Sequence, residues 1–127
     1  LMITCSKEPT PVDLNDLISR AKNYPLEQLH IINFKQFVNT IPDEIGQFNE
    51  LKVLTLFNNN IDQLPASMDQ LADLQKLYVD LNPVSTLMPS ISSLNKLDTL
   101  GIAKTQISES EIEQIKALLP NCNILVK

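Results

Sequence analysis

His30 is the only histidine in this 127-residue chain, and Cys5 and Cys122 are its only thiols. Nucleophilic catalysis needs a thiol or hydroxyl beside a base, and a zinc site needs three or four nitrogen or sulfur ligands. One histidine and two cysteines cannot make a paired-histidine or four-cysteine site within one chain. Carboxylates are more numerous. Asp43 with Glu44 and the Glu109, Glu111, Glu113 run read as a solvated outer face and as a helix N-terminus that favours anions, rather than as an acid–base pair or a calcium site. Gly46 and Gly101 are the only glycines, so neither a G-x-G-x-x-G turn nor a P-loop can be assembled. Ten Lys+Arg against fifteen Asp+Glu, a net charge of −5, offer no basic footprint for nucleic acid. No run reaches the roughly 20 apolar residues of a membrane span. These counts predict no cofactor, no metal and no enzyme. What remains is aliphatic: 43% hydrophobic residues but only 5% aromatic, with no Trp.

The aliphatic residues recur with a fixed period. Leu51, Leu54, Leu56, Asn59, Ile61 and Leu64-Pro65 are matched 23 residues later by Leu74, Leu77, Val79, Asn82, Val84 and Leu87, and again by Leu97, Leu100, Ile102, Thr105 and Ile107. The intervening halves align too, as Ile45/Phe48, Met68/Leu71 and Ile91/Leu94. Upstream, Leu26, Leu29 and Ile31 open a degenerate unit in which Phe34 stands at the Asn position, with about two residues inserted within 33–40. Downstream, Leu119, Cys122 and Ile124 open an incomplete one. This pattern resembles the leucine-rich-repeat family, in the 23-residue typical or bacterial subtype, over residues 26 to 127. The resemblance implies an α/β solenoid whose short parallel sheet lines a concave face. It also implies that Asn59 and Asn82 bond turn backbone as an internal ladder, which Thr105 continues only partly and Phe34 cannot.

Alternation along a strand buries the Leu columns and leaves the residues between them outside. The exposed columns are then Gln28, Val53, Lys76, Thr99, Asn121; His30, Thr55, Tyr78, Gly101, Asn123; and Ile32, Phe57, Asp80, Ala103, Leu125. Ile32, Val53, Phe57 and Tyr78 form an apolar patch rimmed by His30, Thr55, Lys76, Asp80 and Asn58, the composition expected of a protein-binding face. Five strands at about 4.8 Å, each usable over roughly 15 to 17 Å, project about 400 Å², whereas a standard interface takes about 800 Å² from each partner. A tight complex would therefore also engage the loops after Asn58 and Asp80 or the insertion within 33–40; without them the partner contact is weak.

The ends differ from the repeats. Thr10-Pro11-Val12-Asp13 starts an amphipathic capping helix over 11–23, and Ser108-Glu109-Ser110-Glu111 is a capping box opening a second helix over 109–119, with Ile112, Ile115, Leu118 and Leu119 inward. The expected organisation is an N-terminal segment 1–9, a cap 10–25, repeats 26–50, 51–73, 74–96 and 97–118, and a terminal partial repeat 119–127. Leu1 to Cys5 resembles a bacterial lipobox, with Thr4 departing from the usual small residue, and this makes Cys5 a lipidation candidate; a first strand is the alternative. Cys122 reads as a buried small hydrophobe. The expectation is an exported, surface-associated bacterial module that binds a protein ligand, either monomeric or a weak homodimer. The alternatives are a cytoplasmic location and a self-associating structural protein, held by the terminal strand, by Cys5 or by metal at His30.

Overall fold

A computed structural model describes residues 2–4, 26–32, 41–87 and 90–127. Six strands occur among them: β1 (Met2–Thr4), β2 (Gln28–Ile32), β3 (Val53–Thr55), β4 (Lys76–Tyr78), β5 (Thr99–Gly101) and β6 (Asn123–Leu125). They lie side by side in chain order and every pair is parallel. Parallel neighbours in chain order are the arrangement of stacked solenoid turns. Leu29, Leu54, Leu77 and Leu100 stand opposite one another and are buried. Strand-like bonding runs past the strand ends, since Leu56 N–H donates to the Tyr78 carbonyl at 2.7 Å and Asn58 N–H to that of Asp80 at 3.1 Å. Leu56, Val79 and Ile102 are thereby drawn into the same core.

On the return path the prolines set where helix begins. Pro42 and Pro65, at φ −68° and −70°, precede 3-10 helices at Asp43–Gln47 and Ala66–Gln70, where a missing N–H costs nothing. Ile45 and Met68 turn inward from these helices and are fully buried. At Gly46 adjacent turns nearly touch, for a Cβ there would lie 2.7 Å from the Ser67 carbonyl oxygen.

Two buried asparagines close the turns. Asn82 Nδ2 donates to the carbonyls of Leu56 (2.7 Å) and Val79 (2.9 Å), while its Oδ1 accepts from Ile61 N–H (3.0 Å). Asn59 Nδ2 repeats the pattern one turn earlier, on Ile31 (2.9 Å) and Leu56 (3.0 Å). Thr105 keeps only the bond within its own turn, donating to Ile102 at 2.8 Å. The residue before each of these three, Asn58, Leu81 and Lys104, takes left-handed backbone at φ 57°, 59° and 56°. A turn this tight reverses through that region whatever the side chain.

The C-terminal turn departs from expectation in three ways. Helix α1 (Glu109–Leu118) has its Ser108 cap, whose Oγ accepts from Glu111 N–H at 3.1 Å, but the Glu111 carboxylate does not fold back on the cap. Instead it accepts from Thr86 Oγ1 at 2.6 Å and Leu87 N–H at 2.8 Å, pinning the helix to the preceding turn. Leu118 faces outward at 47% exposure, because Ile115 and Leu119 already define the inward stripe and nothing covers its flank. The register of β6 also corrects the columns: Asn123 stands under Thr99, Ile124 under Leu100 and Leu125 under Gly101. A helix rises only about 1.5 Å per residue, so crossing the solenoid takes more chain than an extended turn. Asn121 therefore leaves the concave face, Asn123 and Leu125 each move one column, and Cys122 leaves the strand column and packs half-buried against the core rather than within it.

At the other end β1 pairs with β2, Met2 opposite His30 and Thr4 opposite Ile32. Cleavage before Cys5 would remove this strand. Cys5, the cap at 11–23, Phe34 and the insertion at 33–40 lie outside the described residues.

Candidate functional site on the concave face

Period-two alternation builds the concave face. Val53 and Thr55 flank buried Leu54, and Lys76 and Tyr78 flank buried Leu77. The register sets Val53 against Lys76 and Thr55 between His30 and Tyr78. Two residues beyond these pairs come Ile32, Phe57 and Asp80. Phe57 is 38% exposed, whereas Ile32, Val53 and Tyr78 are half-buried. The nine expected binding residues therefore do gather on three neighbouring turns.

Polar contacts fix the rim. The His30 ring is bracketed, with Nδ1 2.9 Å from Thr55 Oγ1 and Nε2 3.3 Å from Gln28 Oε1. A neutral imidazole satisfies both by accepting at one nitrogen and donating at the other. No group of three or more His, Cys, Asp or Glu suited to a metal occurs among the described residues. Lys76 reaches sideways to Asp98 at 3.4 Å and Thr99 at 3.5 Å. Asp80 accepts the Ala103 N–H at 3.0 Å, so its carboxylate is held against the next turn. Other ion pairs bridge turns at the surface, Lys52 to Glu27 and Lys96 to Asp73. The Lys96 ammonium, bonded to Asp73 at 2.8 Å, holds that carboxyl below the usual range. Burial, with the Asp98 charge behind it, pushes the Cys122 thiol up.

One shaping residue escaped the sequence reading, where glycine served only to exclude phosphate loops. A Cβ at Gly101 would lie 2.5 Å from Asp80 Oδ1 and 2.7 Å from Tyr78 Cδ1. The missing side chain lets the Tyr78 ring and the Asp80 carboxylate lie down on β5. Its signal was the sequence column itself, in which Gly101 follows Thr55 and Tyr78.

No protein-family model matches the chain. Over 99 residues it is 26% identical to an adenylate cyclase of Schizosaccharomyces pombe, a match covering 74% of this chain but 6% of that protein. Among solved structures, a leucine-rich-repeat protein of Leptospira interrogans superposes with a TM-score of 0.77 at 34% identity, over 84% of this chain and 27% of that one. The leucine-rich-repeat ectodomain of the receptor kinase SOBIR1 from Arabidopsis thaliana shares the fold, with a TM-score of 0.62 at 20% identity, over 99% of this chain and 67% of that one. The chain thus spans about a quarter of the Leptospira protein and a small fraction of the cyclase.

Proposed function

Because this chain folds as a leucine-rich-repeat solenoid, we propose that it is a non-catalytic module that binds a protein ligand on its concave face. The observation that carries this reading is the patch of Ile32, Val53, Phe57 and Tyr78 on adjacent turns, in which Phe57 is 38% exposed. Aromatic side chains in a mixed apolar and polar surface are the usual anchors of protein interfaces. His30, Thr55, Asn58, Lys76 and Asp80 form the polar rim that sets orientation. The double variant Phe57→Ala/Tyr78→Ala, checked for an unchanged circular dichroism spectrum, should lose the partner that immobilised wild-type protein retains. Undiminished capture of that partner would remove the concave face from the interaction.

The setting belongs to the same proposal. Likeness to the Leptospira protein supports a bacterial source, and the lipobox-like run ending at Cys5 supports export with a lipid anchor. Mass spectrometry of the membrane-associated form tests this, since lipidation at Cys5 removes Leu1 to Thr4 and adds acyl chains.

A second reading, self-association, has its own observation. Leu118, Leu125 and Val126 are each exposed, and among the described residues β6 pairs on one side only, with β5. Sedimentation at dilute concentration should show a dimer that Leu125→Lys dissociates; a monomeric wild type ends this reading.

A further inference from the structure

The rim where the chain leaves the strands carries a groove of about 270 Å³, built from two repeat positions on three successive turns. Its walls are Asn58 and Asn60, then Leu81 and Pro83, then Lys104 and Gln106, so its chemistry changes from amide to apolar to cationic in steps of one turn. The ladder residues Asn59 and Asn82 support it from behind. Asn58, Leu81 and Lys104 all hold left-handed backbone, which fixes how their side chains project. The groove is therefore formed in advance, and binding would require little ordering.

Charge singles out one end. Lys52, Lys76, Lys96 and Lys116 each face an acid within 2.8 to 3.4 Å. Among the described residues Lys104 and Lys127 make no ion pair, and of these two only Lys104 lines the groove. Lys104 and Gln106 line the same end of the groove, and an ammonium and an amide are donors that suit a carboxylate. The neighbouring Leu81 and Pro83 suit an aliphatic side chain.

We propose that this groove docks an extended acidic peptide segment of a partner protein, with an aliphatic residue over Leu81 and Pro83 and, two residues on, a carboxylate at Lys104. Alternate side chains of an extended peptide are about 6.7 Å apart, which spans one turn spacing of about 4.8 Å and part of the lysine stem. The amide of Asn60 then bonds the peptide backbone at the far end. A groove of this size takes two or three residues and binds weakly alone. Asn58 follows Phe57 directly, so the groove continues the concave patch and adds the loop surface that the sheet's area lacks. This continuity rests on the binding reading above; the groove's own chemistry does not.

The test is a titration of isotope-labelled full chain with N-acetyl-Leu-Ala-Glu-amide and with its Gln counterpart, followed by amide NMR shifts. The Glu peptide should shift the amides of Asn58, Asn60, Leu81, Lys104 and Gln106 and bind about fivefold tighter than the Gln peptide. Lys104→Gln should erase that difference while leaving the spectrum folded, and Phe57→Ala/Tyr78→Ala should leave it intact. Equal binding of the two peptides, shifts confined to another surface, or equal shifts from sodium acetate alone would overturn the proposal. Failure here alongside loss of capture in the double variant would sink the groove but not the concave face; the opposite pair of results would do the reverse.

Discussion

Replacing Asn82 with alanine strips a buried side chain, 2% exposed, of every bond it makes to neighbouring backbone. Ile61 N–H loses its acceptor at 3.0 Å, the Val79 carbonyl loses its donor at 2.9 Å, and the Leu56 carbonyl loses the nearer of its two donors, at 2.7 Å. A buried polar group left without a partner costs about 1–3 kcal/mol, and the Ile61 N–H and Val79 carbonyl are so left, whereas the Leu56 carbonyl keeps Asn59 Nδ2, giving about 3–4 kcal/mol in all. Thr105→Ala at the equivalent position of the next turn removes one bond from a half-buried site, for about 1 kcal/mol. Small domains have about 5–15 kcal/mol in total, so the first variant should be markedly unstable and the second nearly normal. Urea unfolding followed by far-ultraviolet circular dichroism measures both, provided the slope against urea is unchanged. Equal losses in the two variants, or a loss under about 1 kcal/mol for Asn82→Ala, would show that the ladder does not hold the turns together.

Gly46→Ala should lower stability by about 1–3 kcal/mol, because its Cβ would meet the Ser67 backbone and the turns must separate; thermal melts of the variant check this. Leu81→Asn should raise the melting temperature, by about 1 kcal/mol in stability, since asparagine tolerates the φ of 59° better than leucine. In a Cys5→Ser background, Cys122 should alkylate more slowly than a free thiol at pH 8, with the rate rising to a midpoint above the ordinary thiol value. The raised thiol means the folded chain holds that proton more tightly, so its contribution is complete below the ordinary thiol pKa and is lost as pH climbs beyond it. A midpoint at or below the ordinary value would contradict the half-buried placement.

The repeat was legible because a solenoid writes its architecture into spacing: each inward Leu recurs wherever the next turn brings the chain back to the sheet. The same logic found the concave columns of turns one to four, and the family resemblance that the spacing carries implied the asparagine ladder. It failed at β6, where Cys122 was aligned by residue count although α1 consumes more chain per unit length. Leu118 failed for a related reason, since helical spacing marks a flank without saying what covers it. Gly101 and Lys104 were visible as letters but not as parts of a site. The role of one depends on the tilt of Tyr78 and Asp80, and that of the other on which lysines find an acid, and neither leaves a period in the sequence.

The concave-face claim is tested most directly by placing a photoreactive phenylalanine at position 57 and, separately, at exposed Gln70 on the opposite return path. On irradiation with the retained partner, position 57 should cross-link and position 70 should not. Cross-linking at 70 alone, or equally at both, would contradict the account.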